Sequence, residues 1–331
     1  MEKYKSASYQ HDVLNELARQ AQVYFYGPGY KSYNVNDSID DVLVKTPFQP
    51  DSIILGHSWL SDKEKVNRHD RLELQQTTIP KFAILNKEYL NLNAKLDYLK
   101  KNRFNMVFTH HHDIDYYYQK TGIEFIFWPF AFDPLRFNCK DEEKTIDVGF
   151  SGVLQNFNKY SNQSDIRTRI MKHFFFTLFD IPIKKRKAFK DIKIFWNSFS
   201  TKKVSKHLSK LFKKWRYLSP NDYAKMLCET KIYINTPSPM GLISPRFFES
   251  MASKSLVFCE ESSLYESIFP DLLYASFNKD LSDFRRNFFY YLKNDSIRNE
   301  IVNRAYEYVH ANHTWDIRVN LLLRKINAFN N

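Results

Sequence analysis

Ser244-Pro245-Arg246 and Glu249 are the residues of this 331-residue chain whose types and spacing are best suited to chemistry. They follow the apolar run KIYIN, which leaves a predicted strand at Asn235 and enters the loop TPSPMGLIS. Proline is favoured at a first helical position, so Ser244-Pro245 predicts a helix start. Unpaired amides at such a start attract an anion. Arg246, in the first turn, can fork onto a phosphate. Glu249 lies three residues on, on the same helical face. A carboxylate there does not bind phosphate, but it accepts hydrogen bonds from a ribose diol. A cation and a diol acceptor at one helix start match a nucleoside diphosphate. Without that context, the same pair is a structural ion pair along a helix.

These residues need a framework, and the chain alternates strand-like and helix-like runs. Strands are predicted at VYFYG (23–27), DSIILGHSW (51–59), KFAIL (81–85), NMVFT (105–109) and EFIFWPF (124–130), with helical runs between several of them. After the polar stretch DPLRFNCKDEEKT (133–145), a second series begins. TIDVGFSG (145–152) reads as a strand and tight turn, and DIRTRIMKHFFFTLF (165–179) as a helix. DIKIFW (191–196) and SLVFCEE (255–261) are strands, and SPNDYAKMLCET (219–230) is a helix with Ser219 or Asn221 as N-cap. From about residue 281 the chain reads as helical. This alternation predicts two successive α/β domains with parallel sheets. Most of the seven glycines fall at strand ends or helix starts, among them Gly149 and Gly152 around Phe150-Ser151, where backbone can approach a ligand.

Composition excludes several classes. At 43% hydrophobic and 26% charged residues the chain is a folding sequence, not a disordered one. No apolar run reaches the ~18 residues of a membrane span. The polar N-terminus reads as no secretory signal. Neither GxGxxG nor GxxxxGK[ST] occurs, which rules out the standard dinucleotide fingerprint and the P-loop. Cys139, Cys228 and Cys259 are odd in number and far apart, which argues against a disulfide framework or a zinc site and suits a reducing cytosol. The formal charge is +12, and residues 184–216 alone hold thirteen Lys or Arg against Asp191, so the rest of the chain is neutral. Within that segment Val204, Leu208, Leu211, Phe212 and Trp215 recur at helical spacing among lysines. Such a basic amphipathic helix suits an anionic membrane surface, or else packs its stripe inward as an ordinary surface helix.

The stretch RFFESMASKSLVFCEE resembles the R-x-x-E-x-x-A-x-x-x-x-V block of the spore-maturation-protein type of GT-B glycosyltransferases. Four further blocks resemble that family in the same order: GIEFIFWPFAFDPLRF, IDVGFSG, LSPNDYAKMLCETKIYINTPS and ANHTWDIRVNLLLRKI. Two positions depart from it. Ser253-Lys254-Ser255 stands where Gly is common, and Gly241 occupies the first position of the two-glutamate E-x7-E pattern, which leaves retention or inversion open.

The resemblance implies a GT-B fold of two Rossmann-like, doubly wound domains facing a cleft. The domains are expected at 1–140 and 141–313, with a crossover helix at 314–331 returning to the first. It implies a glycosyltransferase that moves a sugar from a nucleotide-sugar donor to a glycan or lipid-linked glycan acceptor in surface polysaccharide synthesis. The donor site comprises Glu249, Arg246, Ser244, Pro245, Asn235, the turn Phe150-Ser151-Gly152, and Leu218-Ser219 against the base. No metal and no cofactor is expected. The acceptor side falls on the first domain, where His112, Asp113 or Glu88 is the candidate base; Asp113 equally suits a helix N-cap, and Glu88 a solvated helix position. A cytoplasmic location follows, peripheral at the inner membrane face through 184–216. The alternatives are a metal-dependent hydrolase built on His110–Asp115, a non-enzymatic nucleic-acid-binding module using 184–216, and a degenerate transferase fold acting as a scaffold. Three consecutive histidines cannot all face one point, which weighs against the hydrolase.

Overall fold

The computed structural model describes residues 8–56, 72–86, 91–139, 142–154, 166–174, 184–189, 192–200, 218–238, 241–270 and 272–331. The chain separates into two compact units, Met1–Phe130 with Met240–Leu242 and Trp315–Asn331, and Ala131–Pro239 with Ile243–Thr314.

In the first unit the described elements are α1 (Ser8–Gln20), α2 (Ile39–Lys45), β1 (Ile53–Leu55), β2 (Lys81–Leu85), α3 (Leu92–Lys101), β3 (Met106–Thr109), α4 (Ile114–Thr121) and β4 (Glu124–Phe127). The four strands form a parallel sheet in the order β1-β2-β3-β4. Every residue of β2 and β3 is buried, as expected for strands covered on both faces. Successive side chains take opposite faces. Ala83, Leu85 and Val107 join a cluster with Leu96 and Leu99 of α3 and Tyr117 of α4, whereas Phe82 meets Phe329 edge-on. Local signals set the helix ends. Ser38 and Asp41 form a reciprocal capping box on α2, and Gly122, at φ 72°, ends α4 in the left-handed conformation that glycine tolerates.

The strand expected at 23–27 does not form. Val23 is exposed and Tyr24, Phe25 and Tyr26 are half-buried, and the Tyr26 hydroxyl donates to the Asn34 carbonyl at 2.8 Å.

The second unit holds β5 (Ile146–Leu154), α5 (Ile166–Phe174), β6 (Lys184–Phe189), β7 (Ile192–Ser200), α6 (Pro220–Cys228), β8 (Thr230–Asn235), α7 (Pro245–Ala252), β9 (Leu256–Glu260), β10 (Ala275–Phe277), α8 (Phe284–Lys293) and α9 (Asp295–Asn312). Its sheet runs β10-β9-β8-β5-β7-β6 and is parallel except for β6, which pairs antiparallel with β7 at the edge. Four of the clustered basic residues, Lys184 to Lys187, therefore sit on an edge strand, where charge discourages further pairing. The basic helix expected over 203–215 lies outside the described residues. From β5 the chain moves to β7 on one side, then crosses to β8 on the other. That reversal is a topological switch point, where open α/β sheets hold ligands at the carboxyl ends of the strands. The core beneath it gathers Val148, Phe150, Trp196, Ile232 and Phe258, closed by Phe284 and Phe288 of α8.

The last helix, α10 (Trp315–Asn330), belongs to the first unit. Its buried positions Trp315, Arg318, Val319, Leu322 and Ile326 form one stripe. The Trp128 indole donates to the Arg318 carbonyl at 2.9 Å, and Arg318 donates back to the Pro129 carbonyl at 3.0 Å. No described helix is long and apolar enough to cross a membrane.

The cysteines correct the sequence reading. Cys139 and Cys228 form a disulfide with Cα atoms 5.5 Å apart, and Cys259 is free and buried. The pair is distant in sequence but adjacent in the sheet. Cys139 precedes β5 and Cys228 precedes β8, and those strands pair with Ile146 opposite Thr230. Glu142 lies close enough for its carboxylate and the two sulfurs to fall within 4.8 Å of one another, but sulfurs bonded to each other are not thiolate ligands.

Candidate functional site at the switch point of the second sheet

Helix α7 begins as the sequence indicates, with Ser244 as N-cap in extended geometry and Pro245 in the first turn. The Ser244 hydroxyl makes no capping bond, and its buried oxygen has no hydrogen-bond partner among the described residues. The loop leading there leaves β8 at Asn235, which is 2% exposed. Its side-chain oxygen accepts from the Thr236 amide at 3.0 Å, while its buried side-chain nitrogen has no partner among the described residues. Two unsatisfied polar atoms on one buried loop and helix start are costly unless something else meets them.

Arg246 and Glu249 share one face of α7 and reach different neighbours. The Arg246 guanidinium donates to the Ser151 carbonyl at 3.3 Å. It crosses directly over Gly152: a Cβ there would lie 2.9 Å from Arg246 Nη1 and 3.2 Å from the Phe150 ring. A side chain at Gly152 would therefore force the guanidinium to shift. Gly152 does not form the tight turn expected at Phe150-Ser151-Gly152, because β5 continues as strand through Leu154. The Phe150 side chain points into the core, away from any ligand. It stacks on Trp196 with centroids 4.3 Å apart, inside the core.

Glu249 is 6% exposed, and its Oε2 accepts from the Tyr223 hydroxyl on α6 at 3.0 Å. Tyr233 of β8 donates to the Ser151 carbonyl at 3.1 Å and accepts from the Ser151 amide at 3.2 Å. Burial pushes the Tyr223 hydroxyl well above its ordinary pKa, reinforced by neighbouring Tyr233 and Glu249, and burial also raises Tyr233. Both phenols stay protonated donors near neutral pH. Asn197 of β7 completes the group, donating to the Ser151 hydroxyl at 3.4 Å.

Ser219 caps α6, accepting from the Asp222 amide at 3.1 Å, and Leu218 is half-buried just before it. Arg167 of α5 went unnoticed in the sequence. It is buried, and its guanidinium donates to the Thr236 hydroxyl at 2.6 Å and to the Thr236 and Pro237 carbonyls at 3.2 and 3.4 Å, holding the loop that leads to α7. Tyr223, Tyr233, Asn197 and Arg167 carry no local sequence signal, because each meets a partner distant in sequence.

In the first unit, Asp113 is the N-cap of α4, accepting from the Tyr116 amide at 3.3 Å, and both it and His112 are exposed. The three histidines diverge. His110 is buried with its ring stacked on Phe130 at 3.7 Å and its Nδ1 against the Trp128 carbonyl at 2.7 Å. His111 Nδ1 accepts from the Asp113 amide at 3.2 Å, and its ring stacks on His112 at 4.7 Å. They do not converge as the hydrolase alternative requires. Glu88, like Lys87 and His57, lies outside the described residues.

Comparison with known proteins agrees with this architecture. Residues 186–324 match the family model described as glycosyl transferase-like. A comparison with curated proteins finds no match. Among solved structures, the chain is similar to a glycosyltransferase from Rickettsia africae at TM-score 0.57 and 10% identity, covering 95% of this chain and 87% of that one. It is similar to Anabaena HepE, solved in complex with UDP, at TM-score 0.52 and 9% identity, covering 75% and 72%. It also resembles TarM, studied from S. aureus, at TM-score 0.50 and 12% identity, covering 77% of this chain and 52% of TarM, about half of that protein's length. With two α/β units built on parallel sheets and these neighbours, the chain has the GT-B fold of two Rossmann-like domains, and residues 186–324 carry a glycosyl transferase-like sequence.

Proposed function

We propose that this chain is a glycosyltransferase that moves a sugar from a nucleotide-activated donor to a glycan or lipid-linked glycan acceptor. One observation carries the reading: α7 presents Arg246 in its first turn and Glu249 three residues on, on one face, at the switch point of the second sheet. In that reading Arg246 and the free amides of α7 neutralise charge developing on the leaving diphosphate, where a fixed cation is most effective. Glu249 accepts the ribose hydroxyls, and Ser244 and Asn235 offer their unsatisfied polar atoms to the phosphates or the sugar. Leu218 and Ser219 face the base through backbone. These groups supply the charge stabilisation from the protein itself, so the proposed transfer needs no metal ion. Among the GT-B enzymes, the likeness of the RFFESMASKSLVFCEE block makes the spore-maturation-protein type the subfamily we favour.

On the first unit Asp113 or His112 serves as the base that takes the acceptor proton, both being exposed beside the carboxyl end of β3. The basic segment 184–216 suits docking on an anionic membrane surface, as a cytoplasmic enzyme with a lipid-linked acceptor in surface polysaccharide synthesis requires. HepE, whose structure holds UDP, makes a uridine diphosphate-sugar the first donor to try. A thermal-shift screen with UDP, GDP, ADP and CMP, followed by donor hydrolysis assays with the corresponding sugars, tests the reading. Stabilisation by one nucleotide, lost in Arg246→Ala and Glu249→Ala, is expected; no response to any nucleotide refutes it.

A further inference from the structure

The Cys139–Cys228 bridge has a carboxylate beside it. Glu142 lies three residues after Cys139, and its carboxylate oxygen and the two sulfurs all fall within 4.8 Å of one another. Both cysteines are buried and Glu142 is exposed, so the group meets solvent on the carboxylate side. Contacts other than the bridge hold both cysteines in place. Cys228 ends α6, where the Ser255 hydroxyl donates to the Leu227 carbonyl at 2.6 Å and the Thr230 hydroxyl donates to the Met226 carbonyl at 2.6 Å. The Ile146 amide at the start of β5 donates to the Glu229 carbonyl at 2.9 Å, just after Cys228. Two residues before Cys139, buried Phe137 packs edge-on against Tyr223 of α6. Opening the S–S bond therefore leaves two thiols facing each other next to a carboxylate.

We propose that Cys139, Cys228 and Glu142 form a zinc site in the reduced protein, which the disulfide replaces in the oxidised one. Two thiolates select Zn2+ over Mg2+ or Ca2+, which take oxygen ligands. Zinc holds sulfur at about 2.3 Å and carboxylate oxygen at about 2.0–2.2 Å in a tetrahedron, which sets neighbouring ligand atoms roughly 3.6–3.8 Å apart. Side-chain rotation brings the three atoms to that spacing, the sulfurs parting while their Cα atoms stay 5.5 Å apart. Water takes the fourth position, from the exposed Glu142 side. Two thiolates and a carboxylate leave the loaded site one negative charge. That charge meets Lys144, whose ammonium donates at 3.0 Å to the Ser253 carbonyl oxygen, the same atom that lies 3.3 Å from Cys139 Sγ. Two steps connect the forms. A dithiol reductant supplies two electrons and two protons; the S–S bond breaks, two thiols form, and the reductant closes to its own disulfide. Zn2+ then displaces one proton from each thiol and accepts an electron pair from each sulfur and from Glu142. A reducing compartment thus exchanges the covalent link between α6 and the segment before β5 for a metal-bridged one.

The test uses the full chain, reduced with a phosphine, freed of it without air, and titrated with Co2+ as a spectroscopic stand-in for zinc. One Co2+ per chain is expected, with the thiolate-to-cobalt charge-transfer band that nitrogen and oxygen ligands alone do not give, and Zn2+ should displace it. The band should be absent in the oxidised protein, cut by at least half in Cys228→Ser, and kept in Cys259→Ser, whose thiol lies outside the site. Glu142→Ala alters an exposed side chain and keeps the fold, which thermal melting checks. It should retain the band but bind Zn2+ about tenfold or more weakly, since even a group that only orients a ligand is worth that much. Zn2+ should raise the melting temperature of the reduced chain, reversibly with a chelator, and leave that of the oxidised chain unchanged. No charge-transfer band in the reduced chain, an undiminished band in Cys228→Ser, wild-type zinc affinity in Glu142→Ala, or equal metal binding by the oxidised and reduced chains overturns the proposal.

Discussion

Substituting Gly152 by alanine tests the assigned geometry with one methyl group. The new Cβ would stand 2.9 Å from Arg246 Nη1, closer than real Cβ contacts come, and 3.2 Å from the Phe150 ring. Of these neighbours the guanidinium is the softer, being the end of a flexible side chain, whereas Phe150 is stacked on Trp196 in the core. Arg246 is therefore displaced from the Ser151 carbonyl, which it reaches at 3.3 Å. The residual squeeze on Phe150 costs about 1 kcal/mol, at the low end of overpacking, and lowers the melting temperature by only a few degrees. Binding suffers more. Losing a charge-assisted contact to the diphosphate costs about 1.5–3 kcal/mol, or roughly 10- to 150-fold in affinity. Titration of the stabilising nucleotide into Gly152→Ala, Arg246→Ala and the double variant measures this. Because both substitutions remove the same contact, the double variant should bind no worse than Arg246→Ala alone. Wild-type affinity in Gly152→Ala, or full additivity in the double variant, refutes the claim that Gly152 exists to clear Arg246.

Three further outcomes are expected. Burial, with nearby Lys254 adding to it, lowers the Lys144 ammonium from its ordinary 10.5 to about 7. Below that value folded and unfolded chains both hold the proton and the cost of burying the charge is fully present; between about 7 and 10.5 only the unfolded chain holds it, so stability rises with pH. Urea denaturation from pH 6 to pH 10 should show that rise in the wild type and a flatter profile in Lys144→Met; equal slopes refute it. In the oxidised protein, thiol titration under denaturing conditions should count the single thiol of Cys259, and reduction should lower the urea midpoint, since a closure spanning 89 residues contributes about 4.6 kcal/mol in the chain-entropy account. Cys139→Ser should be insensitive to reductant; three thiols without reductant contradict the bond. Asp113→Asn preserves the α4 cap, since asparagine caps as well as aspartate, but removes the carboxylate, whereas Asp113→Ala also loses about 1 kcal/mol of capping. If Asp113 takes the acceptor proton, turnover collapses equally in both; full turnover in Asp113→Asn leaves it a cap alone.

Local order along the chain is enough to read several parts of this protein. Ser38-x-x-Asp41, Asp113 before α4, Gly122 after it and Ser219-Pro220 before α6 are caps made within a few residues, and each stands where its pattern indicates. The same holds for Ser244-Pro245 and for Arg246 and Glu249 on one face, because helix geometry places residues three apart together whatever surrounds them. Alternating strand and helix patterns gave the α/β class. What tertiary structure decided are the contacts that depend on which strands pair and in what register. The run VYFYG has strand composition, but it pairs with no strand of the described residues. Cys139 meets Cys228 only because β5 and β8 are neighbours. Phe150 and Gly152 lie on one face of β5, where Phe150 stacks in the core and Gly152 leaves room for the Arg246 side chain that comes from another element. Tyr223 meets Glu249, and Tyr233 meets Ser151, through contacts spanning 26 and 82 residues of sequence. Hydrogen bonds of that range cost loop-closure entropy that the fold as a whole offsets, so no short motif encodes them, and they become visible only once the sheet is assembled.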